Sequence, residues 1–196
     1  MARVSDQLKG MGMGGLFLAL FGGFWMVAAL NDQTFVWIAT CVLLPCSLLV
    51  IRSISILLTA RQARSLEPPI TAEDAAQARG IGRQFGLVFM LEFGLIAVAA
   101  NLLAHYHRMD WILPAIALIV GAHFLPLARV FHYSLYYFTG GIEIAASLGI
   151  GWGMRAHPAA AEAVLGLVMG LSLWLTALIL MVQASWMSRA AGVPRG

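Results

Sequence analysis

Three titratable side chains lie inside apolar stretches that are long enough to cross a bilayer. They are Glu92, His123 and Glu143. A charged group in hydrocarbon is costly, so such residues commonly mark ion pathways, proton relays or buried pairs. A carboxyl group and an imidazole can each take up and release a proton. These residue types therefore suit a site for a proton, a cation or a cationic substrate.

Helix geometry places the three residues at a similar depth. A rise of 1.5 Å per residue puts Glu92 about 12 Å, His123 about 9–13 Å and Glu143 about 15 Å from the expected inner ends of their spans. We therefore expect a polar layer between the inner leaflet and the midplane. A structural alternative stays open, in which the carboxyl groups are protonated or paired with Arg52, Arg129 or His123.

Two helix faces carry small and polar residues that fit the same layer, because residues spaced by three or four positions share one helix face. One face consists of Tyr136, Gly140, Glu143, Ser147 and Gly151, and the other of Ser172, Thr176 and Gln183. Such stripes contact neighbouring helices rather than lipid. We predict that the two faces line one polar interior, which makes Ser147 and Gln183 further candidate binding residues.

Arg52 and Arg129 complete the candidate binding set. Each lies near the expected cytoplasmic end of its span. A long arginine side chain there can also extend to the lipid headgroups without any binding role.

A few possible metal ligands lie on the expected outer face, namely His105, His107, Asp110 and His157. Imidazole and carboxylate groups bind zinc or copper. Their spacing follows no strict ligand motif, so they remain weak candidates, and we expect neither a metal site nor a cofactor.

The elements that position these residues are apolar helices. The chain of 196 residues is 61% hydrophobic and only 11% charged, whereas soluble domains average about 25% charged residues. A span needs about 20 mainly apolar residues. Six segments qualify or nearly qualify, and they are Gly12–Leu30, Phe35–Leu58, Gln84–Ala104, Trp111–Ala128, Tyr133–Trp152 and Ala163–Trp186.

The distribution of basic residues predicts the orientation. With a cytoplasmic N-terminus, ten of the twelve basic residues fall on the inner side, and only Arg108 and Arg155 fall outside. This bias follows the positive-inside rule. The sequence therefore predicts an all-α, polytopic bundle of six transmembrane helices in three hairpins, with both termini cytoplasmic. We expect one integral membrane domain over residues 1–196 in the cell (inner) membrane.

Residues 59–83 are predicted to form a polar cytoplasmic loop. Pro68 and Pro69 block a continuous helix there, and Thr71 with Asp74 resembles a capping box that starts a short helix leading to the third span.

Pro45, Pro114 and Pro126 lie inside predicted spans, where each is expected to kink its helix and free a carbonyl group. Lys9-Gly10-Met11-Gly12 and Arg79-Gly80-Ile81-Gly82 also suggest a duplicated hairpin.

Glycine pairs spaced by four residues indicate close helix contacts within one chain or between copies. They are Gly10/Gly14, Gly149/Gly153 and Gly166/Gly170. The expected partners are the lipid bilayer and a second copy of the chain. A formal net charge of +3 is too small and too scattered to suggest nucleic-acid binding.

The sequence lacks the P-loop, HExxH, GxSxG and CxxCH motifs that ATP-driven pumps, metalloproteases, hydrolases and c-type haem proteins need. We expect no enzyme. The favoured function is a permease or an ion- or proton-coupled transporter. A non-catalytic scaffold or stress-associated protein that acts through partners is the alternative, and a lipid or quinone enzyme ranks last.

Overall fold

A computed structural model describes residues 3–30, 35–153 and 158–193. This part of the chain is 90% helix and contains no strand, which confirms the all-α prediction. The helices are α1 (Val4–Ala29), α2 (Phe35–Ile38), a π turn (Ala39–Leu43), α3 (Leu44–Leu66), α4 (Ala72–His105), a 3-10 turn (Met109–Trp111), α5 (Ile112–Val130), α6 (Leu135–Gly153) and α7 (Pro158–Ala190).

Five helical segments among the described residues are long and apolar enough to cross a membrane, and they are Val4–Ala29, Val36–Leu66, Ala72–His105, Met109–Val130 and Ala160–Ala190. The 19 residues of α6 form a further apolar helix, of about the length that a span requires. The chain therefore has five to six helices suited to a multi-pass membrane protein.

The chain divides into two compact units, one of residues 1–69 and 170–196 (unit 1) and one of residues 70–169 (unit 2). In unit 1, α1 packs against α3 and the last part of α7 through its glycines. A Cβ atom on Gly15 would lie 2.9 Å from the Ser53 hydroxyl, and one on Gly170 would lie 3.0 Å from the Gly22 carbonyl oxygen. The Trp174 indole N–H donates to the Ala19 carbonyl at 3.0 Å. Gly170 thus makes its close contact within the chain.

In unit 2, α5 runs antiparallel to both α4 and α6. The α4–α5 pairing is fixed by the contact of Glu92 with His123 and of Phe85 with Phe131. The α5–α6 crossing is closer, since a Cβ atom on Gly140 would lie 2.6 Å from the Gly121 carbonyl oxygen. The packing of α1 on α3 and of α4 on α5 agrees with two of the three predicted hairpins. The connections of the first and third hairpins include residues 31–34 and 154–157, which lie outside the described residues.

Most of the predicted polar loop over residues 59–83 is helical. Helix α3 continues to Leu66 and α4 begins at Ala72, so only residues 67–71 lie outside helices. The capping box is present, because the Thr71 hydroxyl accepts from the Asp74 N–H and the Asp74 carboxylate accepts from the Thr71 N–H. Helical hydrogen bonding continues through polar residues, whereas an apolar segment marks only the part of a helix suited to hydrocarbon.

The three prolines of the predicted spans lie in different helical settings. Pro114 lies in the first turn of α5, where a missing N–H is tolerated, so the expectation that it kinks a span is corrected. Pro45 lies just after the π turn Ala39–Leu43 within the continuous helical run Val36–Leu66, and the regular helix is interrupted there. Pro126 is interior to α5.

Candidate functional site

Glu92 is the one buried residue of α4, a helix that the structure describes in full. Its relative exposure is 8%, whereas the adjoining Leu91 and Phe93 are 64% and 52% exposed. Around this position, the helix thus exposes its apolar side chains and buries the Glu92 carboxylate. That orientation is expected of a helix in lipid, because an apolar side chain faces hydrocarbon at no cost and a carboxylate does not.

The Glu92 carboxylate contacts His123 on α5. The Nδ1 atom of His123 lies 3.4 Å from Oε1 of Glu92, and both side chains are largely buried. The distance falls within ion-pair range and is longer than the optimum for an N–H···O hydrogen bond. The His123 ring also packs on the ring of Phe124, with 4.5 Å between centroids. The α4–α5 interface therefore holds an acid and a base in direct contact.

Glu143 is completely buried where α6 crosses α5. A Cβ atom on Gly121 would lie 3.0 Å from the Glu143 Cβ and 2.9 Å from the Ile144 nitrogen. Gly121 precedes His123 by two residues, or about 3 Å along the axis. The three titratable residues of the predicted layer accordingly lie at one level of unit 2.

The predicted α6 stripe forms the buried face of that helix. Tyr136, Gly140, Glu143 and Ser147 are all buried, while Tyr137, Gly141 and Leu148 are exposed. The Ser147 hydroxyl donates to the backbone carbonyl of Glu143 at 2.7 Å. The environment of Gly151 lies outside what the structure describes.

The predicted stripe on α7 is less uniform. Thr176 is buried, Ser172 is half-buried and Gln183 is exposed, and the Thr176 hydroxyl donates to the Ser172 carbonyl at 2.7 Å. These residues belong to unit 1, whereas Glu143 belongs to unit 2. A shared polar interior of the two stripes stays a prediction.

The two candidate arginines are both exposed, Arg52 in unit 1 and Arg129 in unit 2. Arg52 is exposed on α3 and donates to the hydroxyls of Ser55 and Ser185. Arg129 is exposed in the last turn of α5.

Three of the four weak metal candidates, His105, His107 and Asp110, lie in the part of the chain that the structure describes. Within the described residues, no three His, Cys, Asp or Glu side chains are placed to hold a metal ion. Asp110 pairs with Arg108 at 3.8 Å. His107 has a positive φ of 54° just past the end of α4, and the His105 ring contacts the ring of Tyr106. His157 lies outside the described residues.

Sequence reasoning missed a polar cluster that joins α1 to the end of α3. The Glu67 carboxylate accepts from the Ser5 N–H at 2.9 Å and from the Ser5 hydroxyl at 2.6 Å. Arg3 lies 4.0 Å from it and donates to the carbonyls of Pro68 and Pro69. Partners separated by more than 60 positions share no local spacing, so no sequence pattern indicates this cluster.

A family model described as a family of unknown function, DUF7010, matches residues 84–183. The match covers just over half of the chain, so the chain belongs to this family. The matched range includes Glu92, His123 and Glu143. Comparisons with curated proteins and with solved structures gave no match.

Proposed function

We propose that this member of a family of unknown function is a small proton-coupled permease of the cell (inner) membrane. It has six spanning helices and cytoplasmic termini, and it has no enzymatic activity. The observation that carries the proposal is the contact of Glu92 with His123, at the one point where the otherwise exposed α4 buries a residue.

The chemistry of the pair favours a proton over a metal or alkali cation. Calcium, magnesium and similar hard cations need several oxygen ligands, whereas the site offers one carboxylate and one imidazole. Both groups bind a proton, and the charge of each changes when they do. Proton uptake or release therefore alters the attraction between α4 and α5.

The packing of α4 supports a coupled movement. Apart from Glu92, the residues of this helix are exposed or half-buried, so a shift of α4 against α5 breaks few buried apolar contacts. Elements with few buried contacts open at low free-energy cost. Transporters commonly expose a central site by moving one helix group against another. In this proposal the charge state of Glu92 and His123 biases that movement.

Glu143 and Ser147, both on α6 in unit 2, are assigned to the substrate pathway. Glu143 is buried at the level of His123, and Ser147 lies one helical turn beyond it. A buried carboxylate suits a cationic substrate, because a bound cation neutralises the carboxylate charge as a bound proton does. The distribution of basic residues supports the orientation, since ten of the twelve then face the cytoplasm.

Proton flux into liposomes tests the proposal. The purified chain is reconstituted around a trapped pH-sensitive dye, and a pH gradient is imposed with the membrane potential clamped by potassium and valinomycin. We expect flux well above that of empty liposomes. In Glu92→Gln, which keeps the shape but cannot ionise, flux falls about tenfold or more, towards background.

Glu73→Gln is the matched control, because Glu73 is an exposed carboxylate on the same helix. It should keep wild-type flux. Wild-type flux equal to that of empty liposomes, or full flux in Glu92→Gln with its melting temperature preserved, would contradict the proposal.

A scaffold is the second candidate, and the open face of α4 favours it. A Cβ atom on Gly82, Gly86 or Gly94 would meet no atom of the described chain within 4 Å. Small residues at four-residue spacing allow another helix to approach closely. A stoichiometric partner, or a second copy, that co-purifies with the chain and is lost in Gly86→Leu would support this function. Isolation as a lone, stable particle would count against it.

A further inference from the structure

We propose that unit 1 carries a second binding site, for a phosphate group, built around Arg52 in a crevice between α1, α3 and α7. The crevice is formed by residues of unit 1. Its main lining residues are Leu8, Arg52, Ile56, Thr59, Ser185 and Ser188. The lining contains one cation, three hydroxyl groups and no carboxylate.

The charge of Arg52 is uncompensated within the described residues. Its two hydrogen bonds go to hydroxyl groups, at 2.7 Å to Ser185 and 3.3 Å to Ser55. By contrast, two other arginines of unit 1 form ion pairs with carboxylates: Arg3 pairs with Glu67, and Arg64 pairs with Asp6. A guanidinium has five N–H donors in a planar fork that matches phosphate oxygens. Arg52 therefore retains donors and a full positive charge for an anion.

The surrounding hydroxyl groups can turn towards such an anion. At present those of Thr59, Ser185 and Ser188 donate to backbone carbonyls of their own helices, at 2.9, 2.7 and 3.1 Å. A carbonyl oxygen inside a helix already accepts a backbone N–H, and a hydroxyl hydrogen rotates freely. If these hydroxyl groups donate to a phosphate instead, each backbone carbonyl oxygen keeps its helical N–H donor.

The position of the crevice suits the headgroup layer. Leu8 is followed by Lys9 near the start of α1, and Ser188 is followed by Arg189 in the last turn of α7. Both basic side chains are exposed. Basic residues at helix ends attract anionic lipids in the adjoining leaflet. The apolar walls formed by Leu8 and Ile56 provide a surface for an acyl chain beside the phosphate.

A phosphate group reaches this crevice from either of two sources, the headgroup of an anionic phospholipid or free phosphate. The test uses the full chain in detergent and measures binding from the shift in melting temperature with ligand concentration. The probes are short-chain phosphatidylglycerol, a diacylglycerol with the same chains, and inorganic phosphate. We expect saturable stabilisation by phosphatidylglycerol and none by diacylglycerol.

Substitutions at Arg52 provide the decisive comparison. Arg52→Gln should weaken phosphatidylglycerol binding about tenfold or more, because a bidentate, charge-assisted contact is lost. Arg52→Lys keeps the charge without the fork, so its loss should be smaller. Arg61→Gln is the matched control, since Arg61 is exposed on the same helix and does not line the crevice, and it should bind as wild type does.

The probes also separate the two sources. Stabilisation by inorganic phosphate that Arg52→Gln abolishes would assign the site to a soluble anion, whereas stabilisation by phosphatidylglycerol alone would assign it to lipid. Should Arg52→Gln fail to fold, Arg52→Lys and Ser185→Ala replace it, with weaker binding expected in both. Equal binding of diacylglycerol and phosphatidylglycerol, or wild-type affinity in the Arg52 variants, would overturn the proposal.

Discussion

Two glutamates lie in contrasting environments, one suited to a structural role and one to the proposed proton exchange. Glu67 lies just past α3 and accepts two hydrogen bonds from Ser5, with Arg3 nearby. Glu92 lies inside a span and meets the imidazole of His123. The Ser5 donors and the Arg3 charge favour the ionised form of the Glu67 carboxylate. A carboxylate paired with an imidazole faces a group that itself exchanges protons.

The pH dependence of stability should reveal the structural role of Glu67. Burial alone would raise the pKa of this carboxyl group, but the Ser5 hydrogen bonds and the charges of Arg3 and Arg64 together lower it below its ordinary value of 4.5. A lowered folded-state pKa gives stability that is present above the unfolded-state pKa and is lost as pH falls through the folded-state pKa.

Glu67→Gln should therefore lower the melting temperature by several degrees at pH 7, because a hydrogen bond to a charged group contributes about 1.5–3 kcal/mol. The difference from wild type should shrink as the pH is lowered from 5 to the lowest value at which the protein stays folded. Melting curves in one detergent across this range provide the measurement. A gap of constant size would show that the charge of Glu67 is not what stabilises the cluster.

At the scale of the helix, glycines with similar sequence surroundings have different environments. Gly12 on α1 packs tightly, since a Cβ atom there would lie 2.8 Å from a Leu57 methyl group. Gly82, which ends the similar tetrapeptide on α4, has open space among the described residues. The faint repeat therefore does not predict the same packing, because packing depends on the neighbouring helix as well as on the glycine.

Gly121→Ala should destabilise unit 2. The added Cβ atom would lie 2.9 Å from the Ile144 nitrogen and 3.0 Å from the Glu143 Cβ, so α5 and α6 must separate. Overpacking of this kind costs about 1–3 kcal/mol, and the melting temperature should fall by several degrees. Gly94→Ala is the control, because nothing described lies within 4 Å of the Cβ position there. Equal melting temperatures for the two variants would contradict the close α5–α6 crossing.

Helix ends were harder to predict from the sequence than helix identities. The Thr71–Asp74 capping box is local in sequence, and the structure confirms it. The extension of α3 to Leu66 was missed, because this segment is polar and apolar patterning does not indicate where such a helix ends. Similarly, Pro114 was placed inside a span but lies in a first turn, since the 3-10 turn before α5 leaves no distinct pattern.

At the scale of the molecule, the sequence predicted the layer of Glu92, His123 and Glu143 but not its contacts. Depth follows from the rise per residue alone, so the three residues could be placed at one level. The rotation of each helix about its axis decides which groups meet, and it depends on long-range packing. The pairing of Glu92 with His123 and the separate association of Arg52 with Ser185 therefore became visible only in three dimensions.

In the proposed function, Glu92 exchanges a proton while it contacts His123. Infrared difference spectroscopy of the reconstituted protein between acidic and alkaline pH tests this without knowledge of the substrate. We predict a C=O stretch from a protonated, buried carboxyl group at acidic pH that is lost at alkaline pH. It should be absent in Glu92→Gln, shifted in pH dependence in His123→Gln and unchanged in Glu73→Gln. A spectrum of Glu92→Gln identical to that of wild type would show that Glu92 does not exchange the proton.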